Sequence, residues 1–288
     1  MLTVIHLRAE TKPFERRSPL SPKTAKALLH AGHIVRVERY PERIYKDEEF
    51  EAAGAELVPT GSWRDAPTDN IILGLKELPD VDAPLRHTHV TFLRVFKKQT
   101  GHEIWLRRFK EGGGALYDLE VLADENNRRV ASFGYSAGYA GAAIALFSWA
   151  HQVLHPDTPQ GPVPGFDDTP ALADYVKSAL EPAIKANRGQ PPKIIITGAL
   201  ESDIFINCVY LGWSNFKNPT LPTSKPLEKG PEVRIIAIDH LPTLIARESS
   251  DEYSSLLLPS LLTLDKRGTE GVWTRAEKIF KEKVAEVS

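Results

Sequence analysis

Cysteine and methionine are almost missing from this chain, which carries one of each among 288 residues. The single thiol, Cys208, cannot close an internal disulfide, so a cross-linked extracellular scaffold is excluded and a reducing compartment is expected. As an apolar strand cysteine, it reads as inert core and not as a nucleophile. Neither sign of charge dominates: a net charge of −2 gives no electrostatic reason for nucleic acid or an anionic membrane as partner. No apolar run reaches the roughly 18–20 residues that span a bilayer. No signal or transit pattern opens the chain, since "MLTVIHLR" reads as a strand from its first residues. Metal-ligand spacing of His and Cys, a Ser-His-Asp signature, internal repeats and low-complexity tracts are all missing. What is left is the expectation of a soluble, cytoplasmic α/β protein. At 42% apolar and 26% charged residues, it is long enough for two cored domains.

What is present alternates. Leu2–Arg8, His33–Glu38, Asn70–Glu77, His89–Phe96 and the run "ALYDLEVL" read as strands. Between them lie helical stretches, the first with Ser21 as N-cap, Pro22 at the first helical position and Gly32 just past its end. "DEEFEAAGAEL" is a short helix, and "GHEIWLRRFKEGGG" closes another on a glycine run. Such alternation predicts an α/β fold with a doubly wound, mainly parallel sheet. Ser136–Leu154 is a long small-residue helix. His155–Pro170, dense in proline and glycine, is a loop or domain joint, followed by the amphipathic helix "ALADYVKSALEPAIKA". Glu232–Pro242 reads as a late strand, and two helices close the chain.

One spacing breaks the pattern. "KIIIT" (Lys193–Thr197) enters "GAL" as a strand enters a dinucleotide-binding turn, yet the strand-like "DIFIN" begins at Asp203. The five or so residues between them cannot hold the crossover of a dozen or more that adjacent parallel strands need. Gly198 stands alone in the turn, and no acidic residue ends a second strand to hold a ribose. Spacing by itself defines no nucleotide-binding domain here.

Several runs together carry a resemblance. "IHLRAETKPFERR", "GSWRDAP", "IILGLKELP", "LYDLE", "RRVASFG" with "AGYAGAA", "SDIFINCVYL" and "IDHLP" resemble, in order and over nearly the whole chain, fungal saccharopine dehydrogenase of the NAD-dependent, lysine-forming kind. The resemblance implies an alanine-dehydrogenase-like N-terminal domain (1–135), a Rossmann-type NAD domain shortened here (136–241), and C-terminal helices packing back on the first domain (242–288). It implies oxidation of saccharopine to lysine and 2-oxoglutarate, in lysine biosynthesis, with NAD as cofactor. Lys76 falls where the family has its catalytic lysine, and Arg94 where it has its catalytic histidine. Arginine stays protonated and cannot exchange a proton at neutral pH. His87 and His89 match other, non-catalytic histidines.

Arg17, Gln99, Arg129 and Phe133 match positions that bind saccharopine, whose carboxylates call for forked donors. Lys12, Glu15, Lys97 and Glu120 match charged residues of the same cleft. Arg128, Tyr210, Ile238, Asp239, His240 and Leu241 match contacts to NAD. Two jumps, after "GAL" and after "VYLG", remove cofactor-facing parts, so NAD binding is in question. Three readings stay open: a dehydrogenase of this type, a non-catalytic relative that binds a dicarboxylate or amino acid, and an imine reductase or opine-type enzyme of another pathway.

Overall fold

In the computed structural model, residues 3–78, 83–97, 101–192, 214–222 and 234–287 are described. The chain divides into two compact units, Met1–Ser132 with Ser250–Ser288, and Phe133–Ser249.

The first unit is built on six parallel strands, β1 (Val4–Leu7), β2 (Ile34–Glu38), β3 (Glu56–Val58), β4 (Ile71–Leu73), β5 (Thr88–Thr91) and β6 (Ala115–Asp118). Their order is β3-β2-β1-β4-β5-β6. The chain therefore runs outward from β1 on one side, then returns to β4 on the other. Helix α1 (Pro22–His30) packs on β2, and α2 (Asp47–Ala52) on β3. The start of α1 is fixed by its sequence: the Thr24 amide donates to Ser21 Oγ at 3.3 Å, the Ser21 amide donates to Thr24 Oγ1 at 3.0 Å, and Pro22 supplies a preset φ. Helix α3 (His102–Gly112) packs on α7 (Gly271–Ala285), which also covers β6. Trp63, Ile72, Leu93, Phe109, Leu116 and Phe280 belong to the core beneath them.

The strands are shorter than their apolar runs, which corrects two placements. The strand expected at Asn70–Glu77 ends at Leu73, so Lys76 lies in the loop beyond it. The strand expected at His89–Phe96 is Thr88–Thr91, followed by a 3-10 turn at Val95–Lys97. Arg94 lies between them with φ 55°, a left-handed conformation in which a strand cannot continue. Both runs stay apolar past the strand end because Leu75, Leu78, Leu93 and Val95 are buried from loops. The edge strand β3 has no apolar alternation and was not expected.

The second unit pairs α4 (Gly134–Leu154) with α5 (Thr169–Ala186) around Ala143, Leu172, Val176 and Ile245. Asp168 caps α5 by accepting the Ala171 amide at 2.8 Å. The late strand expected over Glu232–Pro242 is, among the described residues, only β8 (Arg234–Ile235), antiparallel to β7 (Leu221–Pro222). Leu241–Ile245 form a 3-10 turn leading into α6 (Ala246–Leu261). The runs 193–197 and 203–207, with Cys208, lie outside the described residues.

Candidate functional site

In a parallel sheet all carboxyl ends lie along one edge, and ligands bind there, where strand order reverses. Here that point lies between β1 and β4. Arg8 follows β1, and Gly74-Leu75-Lys76 follow β4. Glu10, buried, accepts the Leu75 amide at Oε1 (2.7 Å) and the Lys76 amide at Oε2 (2.9 Å). Arg8 Nη1 lies 3.4 Å from Glu10 Oε2, and Arg8 Nη2 donates to the Lys76 carbonyl. Thr91, the last residue of β5, donates from Oγ1 to the same carbonyl at 3.0 Å. Lys76 is itself buried, with 4% of its surface exposed. Burial raises the Glu10 carboxyl above the usual carboxylate range, although the Arg8 charge and the two amides oppose this.

Arg17 is held by Glu15 through two charge-assisted bonds, Nε to Oε1 at 2.8 Å and Nη2 to Oε2 at 2.6 Å. Tyr40 donates its hydroxyl to the Glu15 carbonyl at 3.1 Å. On the far side, β6 ends in Asp118, whose Oδ1 accepts the Glu120 amide at 2.9 Å. Burial pushes the Asp118 carboxyl up to about 7, the nearby Glu120 charge adds to this, and the amides of Glu120, Arg94 and Leu93 oppose it. Arg129 Nη2 donates to Glu120 Oε1 at 3.2 Å. The buried Tyr253 hydroxyl of α6 joins the two sides: burial raises its pKa, while Arg129 and Arg17 lower it and Asp118 and Glu120 raise it further. Glu10 feels the charge of Glu15, so the polar groups couple from β1 to β6.

The first unit thus brings together Lys76, Arg94, Arg17, Arg129, Glu15 and Glu120, with Lys12 in the turn that carries Glu15. Arg128, also of this unit, lies exposed in the turn where Asp124 Oδ1 accepts its amide at 2.8 Å. Phe133, Ile238, Asp239, His240 and Leu241 belong to the second unit. His240 Nδ1 lies 2.6 Å from Asp239 Oδ1, and its ring stands edge-on to Phe216 with centroids 5.2 Å apart. Gln99 and Tyr210 lie outside the described residues, as does the Lys97 side chain. His87 and His89 sit in the core around Trp63, where His87 Nε2 lies 2.9 Å from the Ala66 carbonyl.

Arg8, Glu10, Thr91, Asp118 and Tyr253 were missed. A signal existed for four of them: each is polar at the carboxyl end of an apolar strand run. Tyr253 on its helix gave none.

Among the described residues there is no cradle for a dinucleotide. Such a ligand needs a strand entering a glycine-rich turn and the amide end of a helix. Among the described residues of the second unit, no strand enters a helix that way. His240 Nε2 is buried without a hydrogen bond there, one polar atom where a cradle is required.

Fold and site define a two-unit α/β protein of dehydrogenase type. The family model "Alanine dehydrogenase/PNT, N-terminal domain" matches residues 6–140. An L-alanine dehydrogenase structure shares the fold, with TM-score 0.58 at 14% identity, covering 98% of this chain and 100% of that one. The saccharopine dehydrogenase (NAD+, L-lysine-forming) of Neurospora crassa is 41% identical, covering 98% of this chain and 97% of the relative. That of Schizosaccharomyces pombe is 38% identical, covering 95% and 96%. The chain belongs to this family of fungal saccharopine dehydrogenases, oxidoreductases of lysine metabolism. The Neurospora alignment runs over 366 positions against a chain of 288 residues, so at least 78 positions have no counterpart here.

Proposed function

We propose that this protein keeps the substrate half of a saccharopine dehydrogenase and has lost most of its power to transfer hydride. Arg17 and Arg129 bind the carboxylates of saccharopine or 2-oxoglutarate, and Gln99 and Phe133 match further saccharopine-binding positions of the family. Lys76 is the acid–base group at the amine or imine. The supporting observation is the coupled cluster at the carboxyl edge of the sheet, in which Arg17, buried, and Arg129, partly buried, each already hold a glutamate carboxylate. A ligand carboxylate meets donors that are fixed in place beforehand, which lowers the entropy cost of binding.

NAD is the cofactor of the relatives. In this chain Arg128, Tyr210 and Ile238–Leu241 match NAD contacts of the family, but the sequence has Gly198 alone in the turn where a glycine-rich loop is needed, so binding is weak. Arg94 supplies a fixed positive charge where a proton carrier is needed. We further expect a monomer of the cytoplasm.

The test is thermal unfolding with added ligand. Saccharopine or 2-oxoglutarate raises the melting temperature with the logarithm of its concentration above Kd, stabilising the fold by about 2.7 kcal/mol at a hundredfold excess. Arg17→Gln loses that shift. An unchanged melting temperature at high ligand contradicts the reading. In turnover assays of the lysine-forming reaction, Arg94→His raises kcat/KM for NAD by ~10²–10⁴, the usual contribution of a positioned proton donor. That ratio does not require saturation with cofactor.

A further inference from the structure

Both peptide groups that flank the Lys76 α-carbon are occupied. The amide on one side donates to Glu10 Oε2 at 2.9 Å, and the carbonyl on the other accepts from Arg8 Nη2 and from Thr91 Oγ1 at 3.0 Å. The Leu75 amide, one residue earlier, donates to the other Glu10 oxygen at 2.7 Å. All three partners are buried, with Arg8 1% and Thr91 0% exposed. They come from two places far apart in the chain: Arg8 and Glu10 follow β1, and Thr91 ends β5. A loop that serves only to connect β4 to β5 does not need this. Water could satisfy its peptide groups, whereas burying an Arg–Glu pair costs several kcal/mol per ion in desolvation.

Gly74 is the fourth part. A β-carbon there would lie 2.3 Å from Arg8 Nε and 2.7 Å from its guanidinium carbon. Its missing side chain is the space in which the Arg8 guanidinium lies.

We propose that Arg8, Glu10 and Thr91, with Gly74 making room, are positioning residues that clamp the backbone of Lys76. The inference rests on the reading of Lys76 as the acid–base group. The clamp fixes where the lysine side chain leaves the main chain and keeps its loop from opening to water. A long, flexible side chain can act as a proton carrier only if its root is held to a fraction of an ångström. The alternating polarity, carboxylate on the amide side and guanidinium on the carbonyl side, holds both peptide planes against rotation.

Removing Arg8 or Glu10 would strand a buried charge and risk unfolding, so the test uses Thr91 and Gly74. Thr91→Val removes the hydroxyl at nearly constant shape, Thr91→Ser keeps it, and Gly74→Ala pushes the Arg8 guanidinium aside while leaving the Arg8, Glu10 and Thr91 side chains themselves unaltered. The readout is the acetylation rate of Lys76 in the folded, ligand-free full chain, by competitive acetic anhydride labelling and peptide mass spectrometry. Lys278, exposed on α7, serves as reference. Thr91→Val and Gly74→Ala are expected to raise the relative rate about tenfold, the effect of about 1.4 kcal/mol of lost closure. Thr91→Ser should stay within about twofold of wild type. Folded Thr91→Val and Gly74→Ala proteins with an unchanged Lys76 rate overturn the clamp. If Thr91→Val does not fold, Gly74→Ala decides. If neither folds, these residues hold the sheet and not the lysine, and the proposal is also overturned. Ligand-free labelling keeps this outcome separate from the ligand-binding test above.

Discussion

At the residue scale, two buried groups pull the stability of the protein in opposite directions as pH changes. His89 is enclosed by Trp63 and Phe109, with ring centroids 5.2 and 5.6 Å away, and neither ring nitrogen has a hydrogen bond among the described residues. Burial, helped by the charges of Arg8, His87 and Arg108, lowers its pKa well below 6.5. The folded state refuses a proton that the unfolded chain takes up, so this group's contribution is complete above pH 6.5 and is lost as pH falls below it. Asp118 is the reverse: its folded pKa of about 7 lies above the unfolded 3.8. The native state keeps a proton that the unfolded chain has released, so stability falls as pH rises from 3.8 to about 7. Urea unfolding at a series of pH values separates the two. Relative to wild type, His89→Phe gains up to about 1.4 kcal/mol per pH unit on acidification below 6.5. Asp118→Asn gains as pH rises, levelling off above neutrality at roughly 4 kcal/mol or less. Flat differences across that range would mean that neither environment is as dry as its burial implies. None of this was legible in the sequence, where His89 was one of several histidines and Asp118 one of many acids. Burial is a property of the packed sheet. Lys76 and Arg94 were legible only through the company of their neighbouring words.

At the element scale, legibility follows the strength of local signals. α1 was readable because cap, proline and closing glycine all agree. The parallel strands were readable as apolar runs but not in their limits, since loop residues such as Leu75 and Leu93 are as buried as the strands. β3 was unreadable because an edge strand of three residues needs only its neighbour's hydrogen bonds. The glycine run after α3 was read as a stop, and packing adds a second reason. A β-carbon on Gly112 would lie 2.1 Å from the Leu85 carbonyl oxygen, so the helix end abuts the backbone that leads into β5. Gly112→Ala should therefore destabilise by at least about 2 kcal/mol. Among the described residues, and apart from its own helix backbone, no atom lies within 4 Å of a β-carbon placed on Gly138, inside α4. Gly138→Ala should stabilise by about 0.5–1 kcal/mol, the ordinary helix preference. Thermal unfolding of the two variants checks the contrast, and equal effects would show that close approach does not matter at Gly112.

At the scale of the whole molecule, the chain has fewer residues than its alignment with a relative spans. The first unit has its complete six-stranded sheet and a coupled polar edge, while the alignment with a relative leaves at least 78 positions without residues here. The missing crossover between Thr197 and Asp203, outside the described residues, was legible in the sequence. The coupling of Glu10, Glu15, Arg17, Tyr253, Arg129 and Asp118 was not, because it joins residues from four places in the chain. Two titrations of the folded full chain, run side by side by calorimetry, test the account most directly. With 2-oxoglutarate, the account predicts heat of binding with a Kd of about 1 mM or tighter, as two charge-assisted contacts of about 1.5–3 kcal/mol each would give. With NADH, it predicts no saturation at millimolar concentration. Micromolar affinity for NADH, or no heat with 2-oxoglutarate, would contradict it.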